Sequence, residues 1–384
     1  MTTIKVVHLI SSLKTGGTEM MLFKLLAAVK KDEFNSSVIS LTSGGQIADR
    51  IAALDIPVEI LGMRRGTPSP LAFFRLYRML RRQRPDVLQT WLYHSDLMGF
   101  FAGKLARVPA LAWNIRCSTT DDRYFTGMTG QVVRLLARLS TKPDAVIVNS
   151  DAGRAIHENM GYKPHRWEIV PNGFDLTRFR PDLAARSAVR DELGIPGDAA
   201  VIGLVARFDP LKDHHTFLRA AAELLIDAPG THFVLVGPGV DWENPVLSGL
   251  ATELEISDQV HFLGERTDAA RITAAFDIAT CSSTGEGFPN IIGEAMASGV
   301  PVVTTDVGDA RIVVGETGIV VPIRDPAALA GGWRTMLNLG TDGMARLGEK
   351  AREKVAEQYD IHGIADRYAS IYRKLIFNRP TNSR

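Results

Sequence analysis

The chain has 384 residues, more than a single compact core usually holds and a fitting length for two α/β domains. Its 45% hydrophobic and 23% charged content excludes a disordered chain, and no apolar run reaches the ~18 residues that suggest a bilayer span. The net charge of +1 sums two unlike halves: residues 1–180 carry 25 Lys/Arg against 15 Asp/Glu, a balance of +10, and residues 181–384 carry 19 against 28, a balance of −9. The first half is therefore the one suited to an anionic partner, although chance surface charge gives the same count.

In chain order, Lys5–Ile10 reads as a buried first strand, its apolar run too short for a signal sequence. Leu13-Lys14-Thr15-Gly16-Gly17-Thr18-Glu19 follows. It lacks the G-x-G-x-x-G spacing of a dinucleotide fingerprint, yet Gly16 and Gly17 at a strand-to-helix turn permit close approach to a phosphate or sugar. A plain tight turn fits them equally well. Amphipathic Met20–Val29, strands Ser37–Leu41 and Val58–Leu61, and amphipathic Leu71–Arg82 come next. In and just after the last, Phe73, Leu76, Tyr77 and Leu80 fall at helical spacing while Arg75, Arg78, Arg81, Arg82 and Arg84 crowd the remainder. That pattern suits an anionic membrane surface, and it equally suits a solvated helix packed on a sheet.

Strand Val87–Thr90 leads into Trp91-Leu92-Tyr93-His94-Ser95-Asp96, where His94 is either a ligand-facing or a structural histidine. Strands Ala110–Asn114, with Arg116 just beyond, and Ala145–Asn149 complete the first set. Trp167–Val170 then enters the turn cluster Pro171-Asn172-Gly173-Phe174-Asp175, which marks the domain boundary. Asp182–Asp198 reads as a linker with a short helix. The strand rhythm restarts with Ala200–Val205, Phe233–Val236, Val260–Phe262, Ile278–Cys281, Val300–Thr304 and Ile319–Val321. Ala327–Leu337, Asp342–Gln358 and Gly363–Ile376 read as helices, followed by a loose polar tail. Strands alternating with helices predict an α/β fold of two doubly wound parallel sheets. The expected division is 1–173, 174–360, and 361–384 as a C-terminal helix that can cross back to the first domain.

The second domain carries the stronger chemistry. Glu286-Gly287-Phe288-Pro289-Asn290-Ile291-Ile292-Gly293-Glu294 follows strand Ile278–Cys281 and opens a helix. Gly287 permits close approach and Pro289 pre-sets the entry to the helix. The amides of Asn290, Ile291 and Ile292 then point at an anion such as a diphosphate. Glu294, one turn on, can accept two ribose hydroxyls, and Glu286 can grip a sugar. Arg207-Phe208-Asp209-Pro210-Leu211-Lys212-Asp213 follows strand Ala200–Val205. Its Arg207 and Lys212 can neutralise a diphosphate, while Pro210 or Asp213 equally marks a helix start. His214 and His215, adjacent in a helix, do not face one another and form no metal pair. No metal-binding pattern is present, and two cysteines, Cys117 and Cys281, are too few for a disulfide framework or zinc site.

With these residues in place the chain resembles the retaining family 4 glycosyltransferases of the GT-B fold, in particular the subgroup of bacterial O-antigen and surface-polysaccharide assembly. The resemblance runs almost end to end, through GGTE, TWLYHSD, WNIRCS, NSDAGR, VPNGFD, ARFDPLKDH, GERTD, EGFPNIIGEAM and PVVTTDVGD. It implies two Rossmann-like domains facing a central cleft, the first for the acceptor and the second for a nucleotide sugar. Arg207 and Lys212 would then bind the donor diphosphate, Glu286 the transferred sugar and Glu294 the ribose. Gly16 and Gly17 would line the cleft, and Arg266, Gly287, Phe288, Pro289, Asn290 and Ile291 would complete the donor site. One departure stands out. Many members carry a histidine after the fifth strand, where this chain has Arg116, so Arg116 and His94 are the candidates for the acceptor side. The implied activity is sugar transfer from a UDP-sugar to a glycan or polyprenyl-linked acceptor, without cofactor, metal or nucleic acid, by a cytoplasmic protein peripheral on the inner membrane face. A sugar-nucleotide epimerase of the same fold and a non-catalytic sugar-nucleotide-binding subunit are the alternatives.

Overall fold

The computed structural model describes residues 3–14, 16–64, 67, 69–116 and 127–377. Thr15, Cys117, residues 118–126 and the polar tail lie outside the described residues. The chain divides into two compact units, residues 1–173 with 361–384, and residues 174–360.

Unit 1 runs β1 (Ile4–Ile10), α1 (Gly17–Ala28), β2 (Phe34–Ser40), α2 (Gln46–Ala52), β3 (Val58–Ile60), α3 (Pro70–Gln83), β4 (Val87–Trp91), α4 (Tyr93–Ala106), β5 (Ala110–Ile115), α5 (Gly127–Leu139), β6 (Ala145–Val148), α6 (Asp151–Asn159) and β7 (Trp167–Ile169). Its seven parallel strands lie in the order β3-β2-β1-β4-β5-β6-β7. The middle strands are buried on both faces, which explains their nearly unbroken apolar runs. β2 starts three residues before the expected Ser37, because polar Asn35 and Ser36 hide a strand whose backbone pairs with Lys5 and Val6.

Unit 2 runs α7 (Leu183–Leu193), β8 (Val201–Val205), α8 (His214–Leu225), β9 (His232–Val236), α9 (Pro245–Glu253), β10 (Val260–Phe262), α10 (Ala269–Thr273), β11 (Ile278–Cys281), α11 (Asn290–Ala297), β12 (Val302–Thr305), α12 (Ala310–Val314), β13 (Gly318–Val321), α13 (Pro326–Leu337) and α14 (Gly340–Gln358). Six parallel strands lie in the order β10-β9-β8-β11-β12-β13. On one face Trp333 packs between Phe217 and Phe233, and its indole N–H donates to Thr280 Oγ1 at 3.0 Å. That bond satisfies the ring's only polar group inside the core.

The segment expected as a linker, Asp182–Asp198, is instead part of unit 2. Asp182 caps α7 by accepting from the Ala185 amide. From α7, Arg186 and Arg190 clamp Asp277 at 2.6 and 2.7 Å, and Asp277 also accepts from the Val201 amide at the start of β8. Arg190 is buried and turns its other terminal nitrogen to the carbonyls of Pro196, Gly197 and Ala199, while its Nε has no partner among the described residues. Such a buried charge is stable only because a carboxylate and carbonyls answer it.

The chain then returns to unit 1 as α15 (Ile361–Phe377). Ile361, Ile364, Ala365, Tyr368, Ile371, Tyr372 and Leu375 repeat at helical spacing and join α1, α2 and β1 in one core. Arg373 secures the helix with a fork onto Glu33. The opposite face of the same sheet is covered by α3, α4 and α5.

Candidate active site

In each sheet the strand order reverses direction once, between β1 and β4 in unit 1 and between β8 and β11 in unit 2. Loops at the carboxyl ends of such strands diverge and leave a ligand-sized crevice. Arg207 and Lys212 lie on the loop after β8, and Glu286 lies on the loop after β11. Lys212 and Glu286, 74 residues apart in sequence, are thereby brought into contact.

Lys212 Nζ lies 2.5 Å from Glu286 Oε1, and both side chains are mostly buried. Ser283 Oγ donates to the same carboxylate oxygen at 2.8 Å, while the other oxygen accepts no bond among the described residues. Burial alone would lower the Lys212 pKa, but the Glu286 carboxylate outweighs it and holds the ammonium above its ordinary value. Two further bonds lace the loops together: Ser282 Oγ donates to the Lys212 carbonyl, and the Thr284 amide to Leu211, each at 2.8 Å. Burial pushes the nearby Cys281 thiol up, leaving it an inert filler.

The remaining architecture aims these groups. Asp209 caps the short 3-10 turn Pro210–Lys212 through the Leu211 amide and holds the Arg207 guanidinium at 2.8 Å. Arg207 itself is 58% exposed, so its far side is open to a ligand. Asp213, in the left-handed region at φ 48, caps α8 through Thr216. Both helix-start readings of the motif therefore hold, and His214 and His215 open α8. From the end of β12, Thr305 Oγ1 donates to the Ser283 carbonyl at 2.6 Å, and from the loop beyond it the Asp309 amide donates to Gly287 at 3.0 Å. Gly308 has φ +52, and a Cβ there would fall 2.4 Å from the Gly287 carbonyl and 2.5 Å from that of Glu286. Only glycine lets this loop approach the Glu286 turn so closely.

Phe288 is buried between Phe174 and Tyr359, so it is a packing anchor and not a ligand contact. Pro289 is the residue before the helix, extended at φ −75 and ψ 105, and Asn290 and Ile291 form its first turn. The Ile292 amide already donates to the Pro289 carbonyl at 3.3 Å, which removes it from the open amides expected there. Glu294 is half-buried on the Asn290 face of α11. Arg266 is placed differently from the expectation. Its guanidinium forks onto Asp268 at 2.9 Å twice and reaches Glu192 at 2.9 Å, in a cluster with Arg271. Local carboxylates thus engage it, and nothing brings it onto Lys212 or Glu286.

In unit 1 the candidates again gather at the reversal. Gly16 precedes α1, and a Cβ on it would fall 2.3 Å from Glu19 Oε2, so the Glu19 carboxylate folds back over the turn. Burial raises the Glu19 pKa. Gly17 opens the helix. Ser11 and Ser95 hydroxyls meet at 3.0 Å and tie this loop to the start of α4, where His94 is the second residue. Leu92, between β4 and α4, has φ 71 and ψ 157, a strained geometry for a branched side chain of the kind that concentrates at functional sites. Arg116 directly follows β5, donates to Tyr368 Oη at 3.2 Å and lies over the Trp91 ring. Its other terminal nitrogen is buried without a partner among the described residues, and burial lowers its pKa.

The sequence reading singled out none of Ser283, Asp209, Asp309 or Glu19 as functional. Asp209, Asp309 and Glu19 stand within the motifs and Ser283 just ahead of one, but their roles are visible only once the loops meet.

The chain's two halves match two family descriptions. Residues 15–178 match glycosyltransferase family 4, and residues 199–338 match the glycosyl transferases group 1. The first half thus carries a family 4 glycosyltransferase domain and the second a group 1 glycosyltransferase domain. This glycosyltransferase is 35% identical over 247 residues to the D-inositol 3-phosphate glycosyltransferase of Rhodococcus erythropolis, a match covering 61% of the chain and 54% of the relative. It thus spans about half the length of those relatives. Over 98% of both chains it is 22% identical to an Escherichia coli UDP-Gal:alpha-D-GlcNAc-diphosphoundecaprenol alpha-1,3-galactosyltransferase. Its fold is that of Anabaena Alr3699/HepE in complex with UDP, with a TM-score of 0.84 and 23% identity over 96% of this chain and 99% of that one. The GT-B architecture, two Rossmann-like domains, is the one this glycosyltransferase adopts.

Proposed function

We propose that this glycosyltransferase is an enzyme that moves a sugar, with retention of configuration, from a UDP-sugar to a glycan or lipid-linked acceptor in cell-surface polysaccharide synthesis. The observation that carries the reading is the Lys212–Glu286–Ser283 contact at the strand reversal of unit 2. It puts a cation for a diphosphate beside a carboxylate oxygen that can accept a sugar hydroxyl. UDP in the Anabaena structure and the UDP-Gal donor and diphosphoundecaprenol acceptor of the Escherichia coli relative support the donor and acceptor classes.

In the proposed step an acceptor oxygen bonds to the anomeric carbon as the bond from that carbon to the diphosphate oxygen breaks. The leaving phosphate takes the acceptor proton, so no enzymic nucleophile is needed. Lys212 and Arg207 meet the charge that develops on the diphosphate, and no metal is called for in that role. Glu294 takes the ribose hydroxyls, and Glu286 orients the sugar. The test is binding and hydrolysis across a panel of nucleotide sugars, comparing wild type with Lys212→Ala and Glu294→Ala. One UDP-sugar is expected to bind, and both changes to abolish that binding. Equal binding by the variants would remove the donor site from unit 2.

A further inference from the structure

The outer face of α3, α4 and α5 is unlike the rest of the surface. α3 packs on α4 and α4 on α5, all on one side of the unit 1 sheet. Six large apolar side chains point outward from them: Leu71 (72% exposed), Phe74 (58%), Phe101 (47%), Leu105 (53%), Met128 and Leu135. Exposed cations stand on the same helices or just past their ends: Arg78 and Arg81 on α3, Lys104 and Arg107 at the end of α4, and Arg134 and Arg138 on α5. None of these six cations pairs with a carboxylate among the described residues; Arg82 alone does so, with Glu59. The three helices contain one acidic residue, Asp96, and it is buried.

A solvated helix looks different. On α14, Glu349, Glu353 and Glu357 alternate with Arg346, Lys350 and Lys354, and Met344 and Leu347 pack inward. A nucleic acid would use the cations and could stack on Phe, but it gains nothing from exposed Leu71, Leu105 and Leu135. An anionic lipid surface answers both properties at once, because apolar side chains enter the acyl boundary while Lys and Arg reach the phosphates.

We propose that the outer face of α3, α4 and α5 docks on an anionic lipid bilayer, with Leu71, Phe74, Phe101 and Leu105 entering the headgroup region and the surrounding Arg and Lys binding lipid phosphates. This is independent of the transfer reaction and extends beyond the arginine-rich helix legible in the sequence. The full chain is sedimented with phosphatidylcholine vesicles and with vesicles that also contain phosphatidylglycerol, at low and high salt, without any donor. Wild type is expected on the anionic vesicles alone, released by salt. Arg78→Glu with Arg134→Glu should weaken binding more than tenfold, since each cation near the surface contributes about fivefold. Phe74→Ser with Leu105→Ser should weaken it at low salt although no charge is changed, and Arg346→Glu with Lys350→Glu on α14 should leave it unchanged. Unfolding midpoints equal to wild type confirm that these exposed changes leave the fold intact. Wild type remaining in the supernatant would overturn the proposal, as would equal loss in the α14 pair. So would self-association that the Phe74/Leu105 pair abolishes while vesicle binding is absent, because the face would then join two copies.

Discussion

Glu286→Gln tests the donor site most sharply, because it removes one charge with almost no change in size. Lys212 and Glu286 are 2.5 Å apart and largely shielded from water. A diphosphate entering beside Lys212 therefore meets the Glu286 carboxylate as a like charge. At ~6 Å and an effective dielectric of about 20–40, that repulsion is about 1–3 kcal/mol. The variant is expected to bind UDP alone about tenfold more tightly. Transfer should fall by about thirtyfold or more, because the sugar loses a charged hydrogen-bond acceptor worth about 2–3 kcal/mol. Lys212→Met has the opposite sign for UDP, which should bind about a hundredfold more weakly. It also strands Glu286 with Ser283 as its one remaining donor, at about 3 kcal/mol of stability. Titration calorimetry with UDP, run beside transfer assays and thermal unfolding, reads all three quantities. Weaker UDP binding by Glu286→Gln, or unchanged binding by Lys212→Met, would refute the placement of the diphosphate at this pair.

Gly308→Ala should slow transfer and cost at least about 1 kcal/mol, because a side chain at φ +52 collides with the Glu286 and Gly287 carbonyls. Gly285→Ala, whose Cβ would meet Leu211 at 3.6 Å, is the tolerated control in the same unfolding and rate measurements. Asp277→Asn removes the charge that answers buried Arg190 and should cost about 3 kcal/mol, seen in calorimetry as a drop of roughly 6–12 °C. Burial holds His8 at about 3 and His214 at about 4, whereas both take up protons near their ordinary value once unfolded. Stability is then full above about pH 6.5 and falls as pH drops toward 4, by up to about 1.4 kcal/mol per pH unit for each histidine. Denaturant titrations at stepped pH should show this slope, reduced in His8→Gln, which keeps an acceptor for the Trp91 indole N–H.

Much of this was legible because parallel strands buried on both faces announce themselves as apolar runs. Val260–Phe262 and Ile278–Cys281 agree with the expectation at both ends. β12 begins two residues later than expected, after Pro301, which has no N–H to give to the ladder. The misread stretch was Asp182–Asp198, where Arg186 and Arg190 look like ordinary solvated residues. Their partner, Asp277, stands almost ninety residues away, and no local pattern joins them. The partners of Arg266 were hidden for a related reason: Asp268 is close by in the motif, but Glu192 stands 74 residues away. The site was readable as motif types, Glu286 with Lys212, but their contact follows from strand order, which spacing does not encode.

The return of α15 to unit 1 has a consequence for biosynthesis. During translation the segment 1–173 emerges with one face of its sheet covered only in part, by α1 and α2, since the helix that brings Tyr368 and Tyr372 under β1 and β4 lies beyond residue 360. Unit 2 is contiguous in the chain and can close as soon as it clears the ribosome. The N-terminal unit must wait, its Gln89, Trp91 and Asn114 uncovered, until Tyr372 reaches Gln89 and Tyr368 receives the Asn114 amide. A ribosome stalled after unit 2 therefore holds a finished second half and an unfinished first one, the order of maturation running against the order of synthesis.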